Sequence, residues 1–138
     1  MNMLFPKILL GLLGIAFCKT GIETLINPQA VLAQVGIVLD NVSALSSMRA
    51  VYGGMHLVFG VFCFYGIFRN PEAPLALIVL YVTGFVLGRF SGIFIDGKPN
   101  PFVLTWLITE IVSGLLATWA LIILGKSSRR PIVNQLNF

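Results

Sequence analysis

The sequence predicts an all-α integral membrane protein: a four-helix bundle with short loops and one longer outer connection between helices one and two. Three observations predict it. The 138 residues are 57% hydrophobic and only 10% charged, where a soluble domain carries about 25% charged residues. A chain this short has a large surface for its volume and needs polar residues to cover it in water; nine basic and five acidic residues cannot do so. The apolar residues are gathered into four long runs, and the mean hydropathy is +0.95. Composition therefore excludes a soluble globular enzyme, a disordered tail and a nucleic-acid module. The length allows one domain, residues 1–125, followed by a polar tail over 126–138.

Span one covers residues 4–26, span two 50–68, span three 75–95 and span four 102–124. Each has 19 to 23 residues, and about 20 helical residues cross a hydrocarbon layer of about 30 Å. The ten-residue alternating segments of a membrane β-barrel are absent. Lys7 and the apolar stretch after it also fit a signal peptide, but the run continues past Lys19 to Ile26 with no small-residue cleavage site, so it reads as a span. The breaks are turn chemistry: Asn27-Pro28, then Arg69-Asn70-Pro71 with Pro74, then Asp96-Gly97-Lys98-Pro99-Asn100-Pro101. The short breaks make spans two, three and four consecutive antiparallel neighbours. The long connection carries an apolar stretch, Ala30–Leu39, predicted as a short helix on the membrane surface. Ser43–Ser47 is small and polar and leads into span two.

Basic residues set the orientation. Lys7, Arg69, Lys126, Arg129 and Arg130 share one side, opposite Arg49, Lys98, Asp40 and Asp96. The Lys/Arg excess predicts both termini in the cytoplasm.

The informative residues are those a bilayer rejects. Lys19, Glu23, His56, Arg89 and Glu110 lie inside the apolar runs, with Arg49 and Asp96 at their edges. A lone charge at mid-bilayer costs about 2.5–3.5 kcal/mol on insertion scales, so these charges need partners. At about 1.5 Å per residue, Lys19, His56, Arg89 and Glu110 each fall about 9–12 Å below the outer ends of their spans. One layer in the outer half thus receives ionisable groups from four helices. Lys19 and Glu23 are i,i+4 neighbours. Arg49, Tyr52, His56 and Cys63 share a face, and Glu110 shares one with Trp106 and Ser113. Arg89 with Glu110 is the expected pair between adjacent spans.

Two readings follow. In one, closed ion pairs only hold helix register. In the other, Arg49, Tyr52, His56, Arg89 and Glu110 line a ligand pocket, with Lys19, Glu23 and Asp96 as its rim or support. His56 reads as a neutral core histidine, a ligand contact or a proton carrier. One histidine, with no cysteine at its depth, does not make a metal site, and no cofactor motif is present. Cys18 and Cys63 read as small apolar side chains. Gly84, Gly88 and Gly92 form a small-residue ridge suited to close helix contact, within the bundle or with a second copy or a partner membrane subunit. Gly53-Gly54 beside Tyr52 leaves room at the pocket mouth.

The residues that open span two, Arg49-Ala50-Val51-Tyr52-Gly53-Gly54, together with Gly88-Arg89, Gly92, Asp96-Gly97-Lys98-Pro99 and Glu110, carry a resemblance. The chain, over roughly residues 4–124, resembles the small bacterial four-helix membrane proteins known only as a domain of unknown function, which are similar to the wider DoxX-like group. The resemblance implies a compact bundle in a bacterial inner membrane. It implies no chemistry, although DoxX-like proteins are linked to quinone-dependent oxidoreductase assemblies. The reading favoured from sequence is a non-enzymatic binder of a small amphipathic or anionic ligand in the outer-half pocket. The alternative is an accessory or assembly subunit of a larger membrane complex whose buried charges are structural. A proton-coupled transporter is disfavoured because no span is broken at mid-depth. Acid–base work by Glu110 and His56 lacks a nucleophile or cofactor motif beside them.

Overall fold

The computed structural model describes residues 3–128. It is all-helical there: α1 Leu4–Ile26, α2 Pro28–Ala33, α3 Val42–Met48, a π-helical stretch Arg49–Gly54, α4 Met55–Phe68, α5 Glu72–Asp96 and α6 Pro101–Ser128. Four continuous helices are long and apolar enough to cross a membrane: Leu4–Ile26, Val42–Phe68, Glu72–Asp96 and Pro101–Lys126. Residues 129–138, with Arg129 and Arg130, lie outside the described residues, while residues 126–128 of the expected tail continue α6.

Asparagine starts most of these helices. The side-chain oxygens of Asn27, Asn41 and Asn100 accept from the backbone N–H of Ala30, Ala44 and Val103 at 3.1, 2.8 and 2.9 Å. Asn70 accepts from the N–H of Glu72 at 3.0 Å. An Asn cap satisfies a donor that has no partner inside the helix. Pro28 and Pro101 are the first residues of α2 and α6, where the missing N–H costs nothing. The Asn-Pro breaks read as turns are therefore also helix starts. Gly97 stops α5 with φ at 95°, a backbone state that glycine adopts without steric cost.

Span two begins earlier than its apolar run suggests. Asn41 caps Val42, and the helix passes through Ser43–Ser47 and the π stretch without a break. Small polar residues do not stop a helix once its first turn is capped. The expected surface helix over Ala30–Leu39 is shorter, ending at Ala33. Beyond it Gln29 folds the chain back on itself, donating to the carbonyl of Ile37 and accepting from the N–H of Leu39.

The helices form two zipped pairs, α1 with α4 and α5 with α6, joined edge to edge by α4–α5 and α1–α6 contacts. Glycine sets the first seam. A Cβ on Gly21 would lie 2.7 Å from the Leu57 nitrogen, and one on Gly53 would lie 2.8 Å from Leu25 Cγ. Gly14 and Gly60 face each other further along the same seam. Small residues let two backbones approach closely, which is the main source of helix adhesion in lipid. Gly53 thus packs against α1 and does not open a pocket mouth. Of the two alternatives for the predicted ridge, the structure bears on contact within the bundle. A Cβ on Gly84 or Gly88 would meet nothing within 4 Å, so these two glycines do not make the intrachain helix contact.

The core sits at one end of the bundle. Leu9, Leu10, Cys63, Leu75, Ile78, Val82, Ala117, Ala120 and Leu124 form it. Phe5 packs on Trp119 with ring centroids 4.8 Å apart, and Gly66 lies against Pro74. All these residues belong to the half that holds the Arg69 turn. Around the outside, Leu4, Phe68, Leu87, Phe94 and Leu115 are exposed, an apolar perimeter suited to lipid and not to water.

Candidate functional site

At the other end the two helix pairs separate and leave a cavity of about 890 Å³. Pockets that hold whole small molecules run to about 300–1,000 Å³. Every helical layer contributes to its wall: Leu13, Phe17, Lys19 and Glu23 from α1, Tyr52 and His56 from span two, Tyr81, Phe85 and Arg89 from α5, and Trp106, Glu110 and Ser113 from α6. Gly84 and Gly88 line it as well. Their missing side chains are one reason the space stays open. Val31, Leu32, Gln34 and Val35 cover part of the far end. Asn100 ties that cover down by donating to the Gln34 carbonyl at 3.1 Å.

The polar groups of the wall are arranged in pairs. Arg89 meets Glu110 through two parallel bonds, Nε to Oε2 at 2.7 Å and Nη2 to Oε1 at 2.9 Å. Only 21% of the arginine side chain and 11% of the glutamate side chain are exposed. The planar guanidinium matches a carboxylate at two points, the strong form of this contact. The Arg89 guanidinium also lies 5.9 Å from the centre of the Phe85 ring, within cation–π range. Lys19 holds Glu23 one turn away at 2.7 Å, with both side chains at least half exposed.

His56 and Tyr81 form the third pair. His56 is buried, and its Nε2 and the Tyr81 hydroxyl share a hydrogen bond of 3.0 Å. Its Nδ1 is buried and has no hydrogen-bond partner among the described residues. Rings enclose this pair. Phe17 lies 5.7 Å from His56 and 5.6 Å from Tyr81, Phe59 packs edge-on to Tyr81 at 5.0 Å, and Tyr52 stacks on His56 at 5.7 Å. Tyr52 comes from the π-helical stretch, where the Met55 N–H reaches the Ala50 carbonyl. Such single π turns inside helices recur at functional sites. Here the turn carries Tyr52, which with His56 four residues on lines one wall.

The structure thus brings together Tyr52, His56, Arg89 and Glu110, with Lys19 and Glu23 beside them. Two sequence-predicted residues are elsewhere. Arg49 is exposed and donates from Nε to the Leu25 carbonyl at 3.0 Å. It closes the end of α1, where unpaired carbonyls and the helix dipole favour a cation. Asp96 ends α5, exposed and outside the cavity wall. Among the described residues, no three side chains of metal-ligating type come together.

Residues 5–121 match the sequence model of a family described as a domain of unknown function, DUF4345. The chain belongs to this family. No curated protein and no solved structure matches it.

The DUF4345 chain also carries site residues that sequence reasoning missed. Tyr81 and Phe85 precede Arg89 by eight and four residues, so one stripe of α5 carries all three into the cavity. Counting back from Arg89 in steps of four would have found them. Phe17 gives no such signal, because a phenylalanine in an apolar run is ordinary core.

Proposed function

We propose that this DUF4345 chain is a non-enzymatic membrane protein that holds a small amphipathic molecule in the cavity between its two helix pairs. One observation carries the reading: a cavity of about 890 Å³ has paired polar groups on walls that are otherwise aromatic and aliphatic. An apolar cavity with a few convergent polar groups is the usual form of a small-molecule site. Tyr52, His56, Arg89 and Glu110 would contact the polar head, Lys19 and Glu23 would stand at the rim, and Phe17, Ile78 and Val82 would contact the tail. Orientation follows the basic residues. The closed end with Lys7, Arg69 and Lys126 faces the cytoplasm of a bacterial inner membrane, and the cavity opens in the outer half. The DoxX-like resemblance is compatible with a place beside quinone-linked complexes, at the level of fold analogy.

A second reading has its own support. Arg89 and Glu110 satisfy each other at two points, so the pair can hold α5 on α6 without any ligand. The protein would then be an accessory subunit of a larger membrane assembly. Native mass spectrometry of protein purified in mild detergent separates the two. The binding reading expects a co-purifying small molecule that is lost when Gly84→Leu and Gly88→Leu fill the cavity. A wild-type protein that carries no added mass, in a preparation that retains a second polypeptide, supports the subunit reading.

A further inference from the structure

Resting on the binding reading above, the charge arrangement of the cavity narrows the class of ligand. The ionisable lysine, arginine and acidic groups of the wall are Lys19, Arg89, Glu23 and Glu110. They sum to zero, and each cation already holds a carboxylate at 2.7 Å. Of the other cations at the open end, Arg49 is turned away onto the Leu25 carbonyl, and Lys98 lies in the α5–α6 loop outside the cavity wall. An anionic head entering the cavity would therefore meet no cation without a partner. To reach Arg89 it would have to break both bonds to Glu110 and leave that glutamate, only 11% exposed, without its counter-charge. Removing the partner of a buried charge is strongly unfavourable.

Uncharged hydrogen-bonding groups are what the wall has to offer. The Tyr81 hydroxyl uses one position on His56 and keeps another. Ser113 and Thr109 donate to backbone carbonyls of their own helix, at 2.7 and 2.9 Å, so each hydroxyl oxygen remains free to accept. We propose that the cavity is selective for neutral amphiphiles, molecules with an uncharged head of hydroxyl or carbonyl type on an apolar tail, and that the closed Arg89–Glu110 pair disfavours anionic amphiphiles of the same length.

Two photoactivatable lipids test this: a long-chain alcohol and the carboxylate of equal chain length, each bearing a diazirine on the tail. Both are incorporated at equal mole fraction into vesicles that contain the full chain. The pH is held where the carboxyl is ionised, and crosslinks are mapped by peptide mass spectrometry. The alcohol is expected to label cavity residues on the order of tenfold more than the carboxylate. Glu110→Gln, which frees Arg89, is expected to shift labelling towards the carboxylate. Glu23→Gln, which frees the exposed Lys19, makes the same comparison should the first variant fail to fold. Equal or stronger labelling of the wild-type cavity by the carboxylate overturns the selectivity and leaves the binding reading standing. Labelling confined to the lipid-facing perimeter, by both molecules, overturns the selectivity and the cavity reading together.

Discussion

The Tyr81 hydroxyl and His56 Nε2 lie 3.0 Å apart, one on α5 and the other on span two. Their bond links the two zipped helix pairs just where these begin to separate. On one side is the packed core with Cys63 and Leu75; on the other is the cavity.

Tyr81→Phe tests this link. The change keeps the ring packing on Phe17 and Phe59 and removes only the hydroxyl. The buried His56 loses its partner, a loss of about 1–3 kcal/mol for an unsatisfied buried group. A lower midpoint of thermal unfolding in detergent is the expected result. An unchanged midpoint would mean that water replaces the hydroxyl without loss.

Arg89 and Glu110 are expected to be energetically coupled. Breaking a buried pair from one side costs about 3–5 kcal/mol in soluble proteins. Arg89→Ala and Glu110→Ala should each destabilise strongly, and the double variant should lose clearly less than the sum of the two. The measurement is a double-mutant cycle on unfolding free energy. Additive losses would show that the contact contributes nothing specific.

The two sets of glycines are expected to respond in opposite ways. Gly21→Leu drives a Cβ into the Leu57 and Gly53 backbones, and backbone cannot move aside as a side chain can. Overpacking of this kind costs about 1–3 kcal/mol or more, so the folded yield should fall. Gly84→Leu meets open space and should fold normally. Size-exclusion profiles and melting midpoints of the two variants side by side decide the matter. Loss of folding in Gly84→Leu would mean that the ridge has a packing partner.

Cysteine accessibility tests the orientation. In a background of Cys18→Ala and Cys63→Ala, Arg69→Cys and Lys98→Cys place single thiols at opposite ends of the bundle. A membrane-impermeant maleimide added to intact cells is expected to label the Lys98 position and spare the Arg69 position. The reverse pattern would invert the topology.

Much of the architecture was legible in one dimension. Lipid solvates apolar side chains and leaves backbone groups no water to bond, so any apolar run of the right length must become a helix. Composition, run length and the Asn-Pro breaks therefore determine four helices and their antiparallel order. Lys19 with Glu23 was legible too, since a four-residue spacing alone places both on one face.

Helix pairing is a property of surfaces in three dimensions, and there the sequence ran out. Glycine reads the same whether it admits a neighbouring backbone, as Gly21 and Gly60 do, or leaves a space unfilled, as Gly84 and Gly88 do. Arg49 shares a helical face with Tyr52 and His56 in any periodic reading, yet the end of α1 offers it a carbonyl and draws it out of the cavity. Tyr81 is one apolar-run aromatic among many until the fold sets His56 opposite it. By itself the sequence determined that this chain is a bundle of four membrane-length helices with charges that must find partners, because desolvation penalises every alternative. Which partners they find, and that a cavity opens between the two helix pairs, only the tertiary structure decided, because those outcomes depend on how closely particular backbones can approach.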